Sequence, residues 1–428
     1  MMMSRLIIKG QRRLSGSFTP VGNKNAALPM LAACLLTDEA VTLQNLPRIA
    51  DVRVMLELLE GLGVEVQLAQ RSVTLRAARV RRTRLDAELC RRVRAAILFA
   101  GPLVARTGRA SIFPPGGDVI GRRRVDTHLA GLRALGVKIE GGDFFSFRAK
   151  RLRGVSLLLE EASVTATENL LMAAATAEGV TTIHNAACEP HVQDLGALLV
   201  KMGARIEGLG TNRIRIEGVE RLHGATHTIG PDYIEAGSYL AAAAVTGGEL
   251  TVNGFGGDEV RAVVGRAFSR LGLTWKAEGD ILHQPAHRNF RIRRDLGGAI
   301  PKIEDGIWPM FPSDLMSVVL VVATQARGCA LFFEKLFESR MYFVDRLIEM
   351  GARIVQCDPH RVVVEGPARL HGIHMSSPDI RAGMAMMIAA LAAKGTSIID
   401  SAEVIDRGYE DVDERLRALG ADVERSEP

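Results

Sequence analysis

The sequence predicts an α/β protein of the α+β type, built from six repeated helix–strand units that form two domains. Three observations predict this architecture: a helix-end signature that recurs six times, the alternation of helical and strand patterns between its copies, and the length of 428 residues. A single hydrophobic core rarely serves more than about 250 to 300 residues, so a chain of this length is expected to divide.

The helix-end signature is an amphipathic segment that stops at a glycine and continues into a short apolar strand. Its copies read LLEGLGVEV, GLRALGVKI, LVKMGARIE, FSRLGLTWK, LIEMGARIV and LRALGADVE. The shared glycines, spaced by 73, 67, 69, 79 and 69 residues, are Gly63, Gly136, Gly203, Gly272, Gly351 and Gly420. Glycine at this position predicts a left-handed helix cap, because glycine adopts a positive φ at little cost. Six units of about 71 residues account for the chain.

Each unit reads in the same order. An Ala-rich apolar helix comes first, followed by a break of small residues and a short β-branched strand, as in VTGGELTVNG and AKGTSIIDS. A polar loop, the amphipathic helix and another strand complete the unit, as in VDERLRALGADVE. This alternation favours an α/β class over an all-helical solenoid. Loops between a strand and the amphipathic helix are expected to carry the site residues.

Composition and charge exclude several classes of protein. No apolar run reaches the roughly 18 residues of a membrane span, and the basic start of the chain lacks the apolar stretch of a signal peptide. The five cysteines have neither metal-ligand spacing nor the even number of a disulfide framework. The net charge of +5 permits anionic partners. The chain contains no block of five basic residues, so a long polyanion such as nucleic acid is disfavoured. We expect a cytoplasmic protein without cofactor or metal that binds small phosphorylated ligands; its oligomeric state stays open.

Four polar side chains stand out, and each has a purely structural alternative. Lys24 in VGNKNAALPML is suited to neutralising a phosphate, or begins a helix as a solvated lysine. Arg94 in VRAAILFAGPLV is a candidate ligand or a snorkelling surface arginine. Arg123 in the RRR run suits carboxylate and phosphate oxygens, or belongs to a solvated loop, and no aromatic residues interleave to suggest base stacking. Asp314 in MFPSDLM is a candidate base, or a helix N-cap with Ser313.

Longer segments carry a family resemblance that runs essentially from end to end. They include GNKNAALPML, VRAAILFAGPLVA, PPGGDVIGRRRVD, NAACEPHVQDLGALL, PDYIEAGSYLAAAA, FPSDL, FESRM and IDRGYEDVDERLRALGA. These segments resemble the UDP-N-acetylglucosamine enolpyruvyl transferase family. The resemblance implies transfer of the enolpyruvyl group of phosphoenolpyruvate to the 3-hydroxyl of UDP-N-acetylglucosamine, with release of phosphate through a tetrahedral addition–elimination intermediate. In the family this reaction begins peptidoglycan synthesis.

The resemblance also implies the domain organisation. It predicts two inside-out α/β domains of three units each, one formed by residues 1–22 and 230–428 and the other by residues 23–229. The active site is expected in the cleft between them.

The resemblance implies roles for residues at matching positions. Lys24 is expected at the phosphoenolpyruvate site, and Asp314 as the base that takes the proton from the sugar hydroxyl. Guanidinium groups are expected to stabilise the phosphate and carboxylate charge. Asn25 is expected to hydrogen-bond the sugar nucleotide and Asp126 to approach its uracil ring. The remaining substrate-binding positions implied by the resemblance are Arg94, Arg123, Ser163, Val164, Phe337, Arg340, Asp379, Arg381 and Arg407.

The chain departs from the family pattern at two positions. Most members carry a cysteine where this chain has Asp118, on the loop FPPGGDVIGRRRVD. We hypothesise that Asp118 is the loop acid, which protonates C3 of phosphoenolpyruvate or assists phosphate departure, while Gly116 and Gly117 let the loop close. The alternative is a surface turn acid held by an arginine. Thr165 stands where a glycine is common, which leaves the backbone contact to the diphosphate open.

Other functions stay open on sequence alone. A different acceptor, either a nucleotide of a nucleoside-antibiotic pathway or shikimate 3-phosphate, would keep the fold. The signatures of the shikimate enzyme are not evident, whereas Thr165 and the RRR run alter the nucleotide side. A non-catalytic repeat scaffold or nucleic-acid binder would instead show salt-dependent binding to DNA or RNA without turnover of phosphoenolpyruvate.

Overall fold

The computed structural model describes residues 4–287 and 289–426. The chain divides into two compact units. Unit 1 comprises Met1–Val21, Val119–Arg122 and Pro231–Pro428, and unit 2 comprises Gly22–Asp118 and Arg123–Gly230. No sequence pattern had predicted that the short segment Val119–Arg122 belongs to unit 1.

The helices and strands of the described residues are short. The helices are α1 (Lys24–Ala33), α2 (Ala50–Leu62), α3 (Ala87–Arg92), α4 (Ala100–Thr107), α5 (Asp126–Ala134), α6 (Val164–Ala174), α7 (Pro190–Lys201), α8 (Tyr233–Val245), α9 (Gly257–Arg270), α10 (Met316–Gln325), α11 (Val344–Glu349), α12 (Ile380–Ala392) and α13 (Val412–Ala418). The strands are β1 (Arg5–Lys9), β2 (Ser15–Phe18), β3 (Ala40–Gln44), β4 (Glu65–Ala69), β5 (Ser72–Arg76), β6 (Arg109–Ile112), β7 (Lys138–Glu140), β8 (Phe145–Arg148), β9 (Ser156–Leu158), β10 (Val180–His184), β11 (Arg205–Glu207), β12 (Arg213–Glu217), β13 (Ala225–Thr228), β14 (Glu249–Asn253), β15 (Lys276–Glu278), β16 (Ile281–Gln284), β17 (Lys302–Glu304), β18 (Gly328–Phe333), β19 (Arg353–Gln356), β20 (Arg361–Gly366), β21 (His374–Ser376), β22 (Thr396–Asp400) and β23 (Asp422–Ser426).

Small sheets of three or four strands cover the core of each unit. In unit 2 the strand orders are β13-β3-β5-β4, β6-β8-β7 and β11-β12-β10-β9, and in unit 1 they are β15-β16-β14-β2, β17-β18-β20-β19 and β21-β22-β1-β23. Every four-stranded sheet among the described residues has one parallel pair at an edge, and its other pairs are antiparallel.

The elements confirm the six-fold repeat and add one strand to it. The first five repeats are α1-β3-α2-β4-β5, α4-β6-α5-β7-β8, α6-β10-α7-β11-β12, α8-β14-α9-β15-β16 and α10-β18-α11-β19-β20. Each therefore ends in a hairpin rather than in the single strand expected. The sixth repeat, α12-β22-α13-β23, ends near the C-terminus with one strand. Strand β1 from the N-terminus takes the missing place, since it pairs antiparallel with both β22 and β23.

The shared glycines cap the amphipathic helices as predicted. The φ angles of Gly63, Gly136, Gly203, Gly272, Gly351 and Gly420 are 96°, 95°, 102°, 89°, 99° and 101°. At each of them the glycine N–H bonds back three residues and the following N–H bonds back five, as in Gly136 N to Arg133 O (2.9 Å) and Val137 N to Leu132 O (3.1 Å). This pairing satisfies carbonyls that the helix end leaves open.

The core of each unit consists of helices that are apolar on all sides. Helices α8, α10 and α12 pack against one another in unit 1, and α6 packs against α1 and α4 in unit 2. Nearly every residue of α8, α10 and α12 is buried. A helix of this kind lies inside the core, so the sheets cover it from outside. This is the inside-out α/β arrangement. Among the described residues, no helix has the length and apolar character needed to cross a bilayer.

Candidate active site

Several of the predicted site residues lie at the N-terminal ends of helices. Lys24 begins α1, Val164 begins α6, and Asp314 lies just before α10. Arg94 begins the 3₁₀ segment that leads into α4, and Asp379 caps α12. Because helix N-termini carry unpaired N–H groups and partial positive charge, this placement suits anionic ligands.

In unit 1 the structure brings together Asp314, Arg340 and Arg381, the Asp314 cluster. Arg340 Nη2 donates to Asp314 Oδ1 at 3.1 Å, and Arg381 Nη2 donates to Asp314 Oδ2 at 3.0 Å. The side chains of Arg340 and Arg381 are 4% and 6% exposed, whereas that of Asp314 is 27% exposed. One accessible carboxylate thus lies between two buried cations. The N-cap position of α10 is Leu315, and Asp314 lies inside the preceding 3₁₀ turn Ser313–Leu315.

Each of the two arginines packs against an aromatic ring and has a buried N–H group that makes no hydrogen bond within the described residues. The Arg340 guanidinium lies 5.0 Å from the ring centre of Phe337, and that of Arg381 lies 5.4 Å from the ring centre of Tyr409. Arg340 Nη1 and Arg381 Nη1 are buried without a hydrogen-bond acceptor in the described residues. Buried donors of this kind ordinarily have a partner. The cluster carries a formal charge of +1, so an anionic ligand is the partner that its chemistry fits.

Two further predicted residues of unit 1 lie at element ends. Asp379 Oδ1 accepts from the backbone N of Arg381 (2.9 Å) and of Ala382 (3.0 Å), so it holds the first turn of α12. Arg381 is positioned by this cap and by Ser317, whose hydroxyl donates to the Arg381 carbonyl at 3.2 Å. Arg407 ends the 3₁₀ segment Ala402–Arg407 and is half-buried.

In unit 2 Lys24 is a buried cation. Its Nζ lies 2.7 Å from Asp51 Oδ2, and the two side chains are 10% and 5% exposed. The Asn23 side chain caps the helix by accepting from Ala26 N at 3.1 Å, which fixes the position of Lys24 in the first turn. Lys24 does begin a helix, but it is not a solvated lysine. Asn25, the next residue, is half-buried.

The Asp118 loop packs tightly on Arg94. Gly117 has φ 107°, and a Cβ there would lie 2.9 Å from Arg94 Cβ. A Cβ on Gly116 would overlap the carbonyl of Arg91, so both glycines are required by close packing. Asp118 follows directly and is half-buried. The structure therefore gives the two glycines a packing role in addition to the flexibility expected from the sequence.

Arg94 also holds the segment after the loop. Its Nη2 donates to the carbonyls of Arg123 and Arg124, the latter at 3.0 Å. Burial, with the nearby charge of Arg123, lowers the pKa of Arg94 to about 10. Arg94 is thus a partly buried residue rather than a snorkelling one. Two cations this close together favour an anion beside them.

The three arginines of the RRR run have different environments. Arg122 and Arg124 are exposed, whereas Arg123 is half-buried. Arg124 Nε donates to Asp126 Oδ2 at 2.5 Å, an ion pair whose side chains are both about half exposed. Within unit 1, the backbone N of Arg122 donates to Glu338 Oε2 at 3.1 Å. The side chain of Asp126 is therefore engaged with Arg124 at the surface.

A chain of hydrogen bonds connects the first turns of α6 with α5 and α4. Ser163 caps α6 by accepting from Ala166 N at 3.3 Å, and Val164 is its first residue. Thr165 Oγ1 lies 3.0 Å from His128 Nε2, and His128 Nδ1 lies 3.1 Å from Asn169 Nδ2. Asn169 Oδ1 accepts from Gly101 N at 2.6 Å, which fixes its amide so that Nδ2 is the donor to His128. His128 therefore carries its proton on Nε2 and donates to Thr165.

This chain gives Thr165 a role that a glycine would not have. Burial and the charge of Arg94 lower the pKa of His128 to about 3, so the imidazole is neutral. Because Thr165 Oγ1 accepts from it, the threonine hydroxyl proton is left to be donated. The departure from glycine thus replaces a bare backbone with a fixed hydroxyl in the first turn of α6.

Sequence reasoning missed four residues that shape these clusters. Asp51, His128, Asn169 and Glu334 are each buried and polar. The signal in the sequence was a polar residue on an otherwise apolar helix face, as for His128 and Asn169, but it does not reveal the partner. Within residues 4–287 and 289–426, no group of three or more His, Cys, Asp and Glu side chains is arranged to hold a metal ion.

Comparisons with known proteins cover almost the entire chain. The family of EPSP synthase (3-phosphoshikimate 1-carboxyvinyltransferase) matches residues 8–416. The UDP-N-acetylglucosamine 1-carboxyvinyltransferase of Bradyrhizobium diazoefficiens is 53% identical, over 98% of this chain and 97% of that protein. The protein of the same name from Treponema denticola is 51% identical, over 99% of this chain and 100% of its own.

Two solved structures share the fold. The enolpyruvyl transferase NikO from Streptomyces tendae superposes with a TM-score of 0.88 at 23% identity and covers 100% of both chains. The EPSP synthase of Acinetobacter baumannii superposes with a TM-score of 0.76 at 18% identity, over 99% of this chain and 100% of that one. At these identities the likeness shows the fold alone. On the sequence matches, the chain belongs to the EPSP synthase family, in the branch of the UDP-N-acetylglucosamine 1-carboxyvinyltransferases.

Proposed function

We propose that this protein transfers the enolpyruvyl group of phosphoenolpyruvate to the 3-hydroxyl of UDP-N-acetylglucosamine and releases phosphate. The observation that carries the proposal is the 53% identity, over 98% of the chain, to a UDP-N-acetylglucosamine 1-carboxyvinyltransferase. The Asp314 cluster agrees with it, because it offers an accessible carboxylate between two buried cations. Both substrates are small water-soluble anions, and we propose the cytoplasm as the place of the reaction.

The addition step needs a base and an acid. Asp314 takes the proton of the sugar hydroxyl as the oxygen forms a bond to C2 of phosphoenolpyruvate, and C3 receives a proton. The two guanidinium groups of the cluster hold the carboxylate in place while they stabilise negative charge. Asp118 is the proposed donor to C3, since it is the acid on the loop that packs against Arg94.

The elimination step removes the proton that C3 received. C3 of the tetrahedral intermediate loses a proton, the C2–O bond to phosphate breaks, and the enolpyruvyl ether and phosphate are formed. Lys24, Arg123 and Arg407 are the proposed contacts to the phosphate and carboxylate. In the structure Lys24 pairs with Asp51 at 2.7 Å, so a bound phosphate would compete with this carboxylate for the ammonium.

Phosphate release by the full-length protein tests this function. We expect turnover of phosphoenolpyruvate with UDP-N-acetylglucosamine and none with UMP or shikimate 3-phosphate. Asp314→Asn is expected to lower kcat by about 100-fold or more, since it removes the base and keeps the shape. Asp258→Asn is the matched control, because the Asp258 side chain is 96% exposed on α9. Turnover only with another acceptor would refute the proposed substrate, and an active Asp314→Asn variant would refute the proposed base.

A further inference from the structure

Glu334 is a fully buried acid that the proposed reaction leaves unused. It follows β18 directly and is 0% exposed. Its backbone N donates to the His360 carbonyl at 2.8 Å, and its own carbonyl accepts from His360 Nδ1 at 2.7 Å. These two bonds fix its backbone, so the direction of its side chain is determined by the fold.

The side chain contacts both parts of the Asp314 cluster from the interior. Ser313 Oγ donates to Glu334 Oε1 at 2.7 Å, and Ser313 precedes Asp314 in the same 3₁₀ turn. Glu334 Oε2 lies 3.9 Å from Arg340 Nε, and Arg340 Nη2 in turn donates to Asp314. A single buried residue therefore borders the turn that carries the candidate base and the arginine that holds it.

The surroundings place a proton on Glu334. Asp305, a second acid with 0% exposure, accepts from the backbone N of Lys335 (2.5 Å) and of Leu336 (3.3 Å), so each of its carboxyl oxygens already accepts a hydrogen bond. Glu334 Oε1 accepts from the Ser313 hydroxyl, and the Glu334 side chain is in hydrogen-bond contact with that of Asp305, a contact that requires a proton on one of the two carboxyl groups. Two neighbouring buried carboxyl groups do not both ionise readily. The proton therefore belongs to Glu334.

The nearby charges agree with this assignment. Burial, together with the Asp305 carboxyl and against the charge of Arg340, raises the pKa of Glu334 to about 9. The Lys335 ammonium pairs with Glu304 at 3.3 Å rather than with Glu334. His360 contributes its Nδ1 proton to the Glu334 carbonyl, not to the carboxyl group.

We infer that Glu334, as a neutral acid, is a positioning residue for Asp314: it fixes Ser313 and leaves the charge of Arg340 to Asp314 and to the bound anion. An ionised Glu334 would compete with Asp314 for Arg340 and cancel the +1 charge of the cluster. This inference rests on the proposed function of Asp314 as the base.

Neutral and truncated variants separate this role from simple packing. Glu334→Gln keeps the shape, the acceptor for Ser313 and the neutral charge, so kcat and KM at pH 7.5 are expected to stay within about threefold of the wild type. Glu334→Ala is expected to lower kcat by about tenfold or more with KM for phosphoenolpyruvate nearly unchanged. Ser313→Ala removes the same hydrogen bond from the other side and is expected to reproduce this kcat loss. It provides the test if Glu334→Ala folds poorly. A glutamine variant as impaired as the alanine variant would overturn the inference.

The pH profile supplies a second readout. Wild-type kcat is expected to fall above about pH 9 as Glu334 ionises, and this limb is expected to be absent in Glu334→Gln. An identical alkaline limb in both proteins would overturn the inference.

Infrared difference spectroscopy tests the proton without relying on turnover. The wild type is expected to show the C=O band of a protonated carboxyl group that is missing in Glu334→Gln and disappears above about pH 9. In Asp305→Asn, which removes the adjoining negative charge, the band is expected to disappear at lower pH. Absence of the band refutes the inference whatever the substrate is, whereas a band with no turnover on UDP-N-acetylglucosamine refutes the proposed function alone.

Discussion

Asp118 is a carboxylate on a loop that two closely packed glycines hold against Arg94. The epoxide fosfomycin alkylates a cysteine thiolate far faster than a carboxylate, so the wild type is expected to keep its activity after incubation with the drug. Asp118→Cys is expected to become inactivated irreversibly, as measured by residual phosphate release. The buried Cys90 is the internal control, since its pKa is raised to about 11 by burial and it should not react. Rapid inactivation of the wild type would contradict this prediction.

His128 makes the stability of the native state depend on pH. Burial lowers its pKa from 6.5 to about 3, so between these values the unfolded chain binds a proton that the native protein does not. The free energy of unfolding therefore falls as the pH drops below 6.5, by about 2 kcal/mol at pH 5 relative to pH 7.5. Urea unfolding followed by circular dichroism is expected to show this loss in the wild type and not in His128→Gln. The exposed His223, replaced by glutamine, is the control and should keep the wild-type dependence.

At the residue scale, sequence patterns reveal candidates but not their partners. Lys24 was predictable as a helix start with functional chemistry, yet its ion pair with Asp51 joins two different helices and depends on tertiary packing. Glu334 reads as one more polar residue in FFEKLFESRM, and only its burial beside Ser313 and Arg340 distinguishes it.

The glycine caps allow a matched test among the elements. A Cβ on Gly136 would contact only the Arg151 carbonyl at 3.8 Å, so Gly136→Ala is expected to cost about 1 to 2 kcal/mol from the left-handed backbone alone. Gly272→Ala is expected to cost more, because its Cβ would overlap the backbone of Arg291. Gly61 lies inside α2 with open space around it, and Gly61→Ala is expected to stabilise by roughly 0.5 to 1 kcal/mol. Urea unfolding measures all three; equal effects at Gly61 and Gly136 would contradict the cap geometry.

At the element scale, the periodic helices, their glycine stops and the strand after each stop were predictable, whereas the second strand of each hairpin was not. Second strands such as β8 (Phe145–Arg148) and β16 (Ile281–Gln284) are only four residues long, so their alternating pattern is too short to stand out. The N-terminal ends of the internal helices were predictable as polar positions. The contact in unit 1 between Asp314 and Arg381, at the starts of α10 and α12, was not predictable, because the apolar helices give no indication of which one packs beside which.

In the sequence, unit 2 interrupts unit 1, and the first and last residues of unit 2 lie next to each other. Asn23 N donates to Gly230 O at 2.8 Å, so unit 2 begins and ends side by side, and Asp232 N donates to Val21 O at 2.8 Å in unit 1. A fragment of residues 22–230 is therefore expected to fold alone, with native-like circular dichroism and cooperative urea unfolding. The fragment 231–428, which lacks β1 and β2, is the comparison and is expected not to unfold cooperatively. A fragment 22–230 without cooperative unfolding would contradict the prediction.

The pairing of β1 with two strands of the sixth repeat affects how the protein folds during synthesis on the ribosome. Strand β1 is translated before the other strands, but its two partners, β22 and β23, lie at Thr396–Asp400 and Asp422–Ser426. Domains generally fold as they emerge, so unit 2 can complete while this first strand still has unpaired edges. A chaperone that shields the newly made β1 would therefore act on unit 1 and not on unit 2, and loss of β22 and β23 would leave β1 without its partner strands.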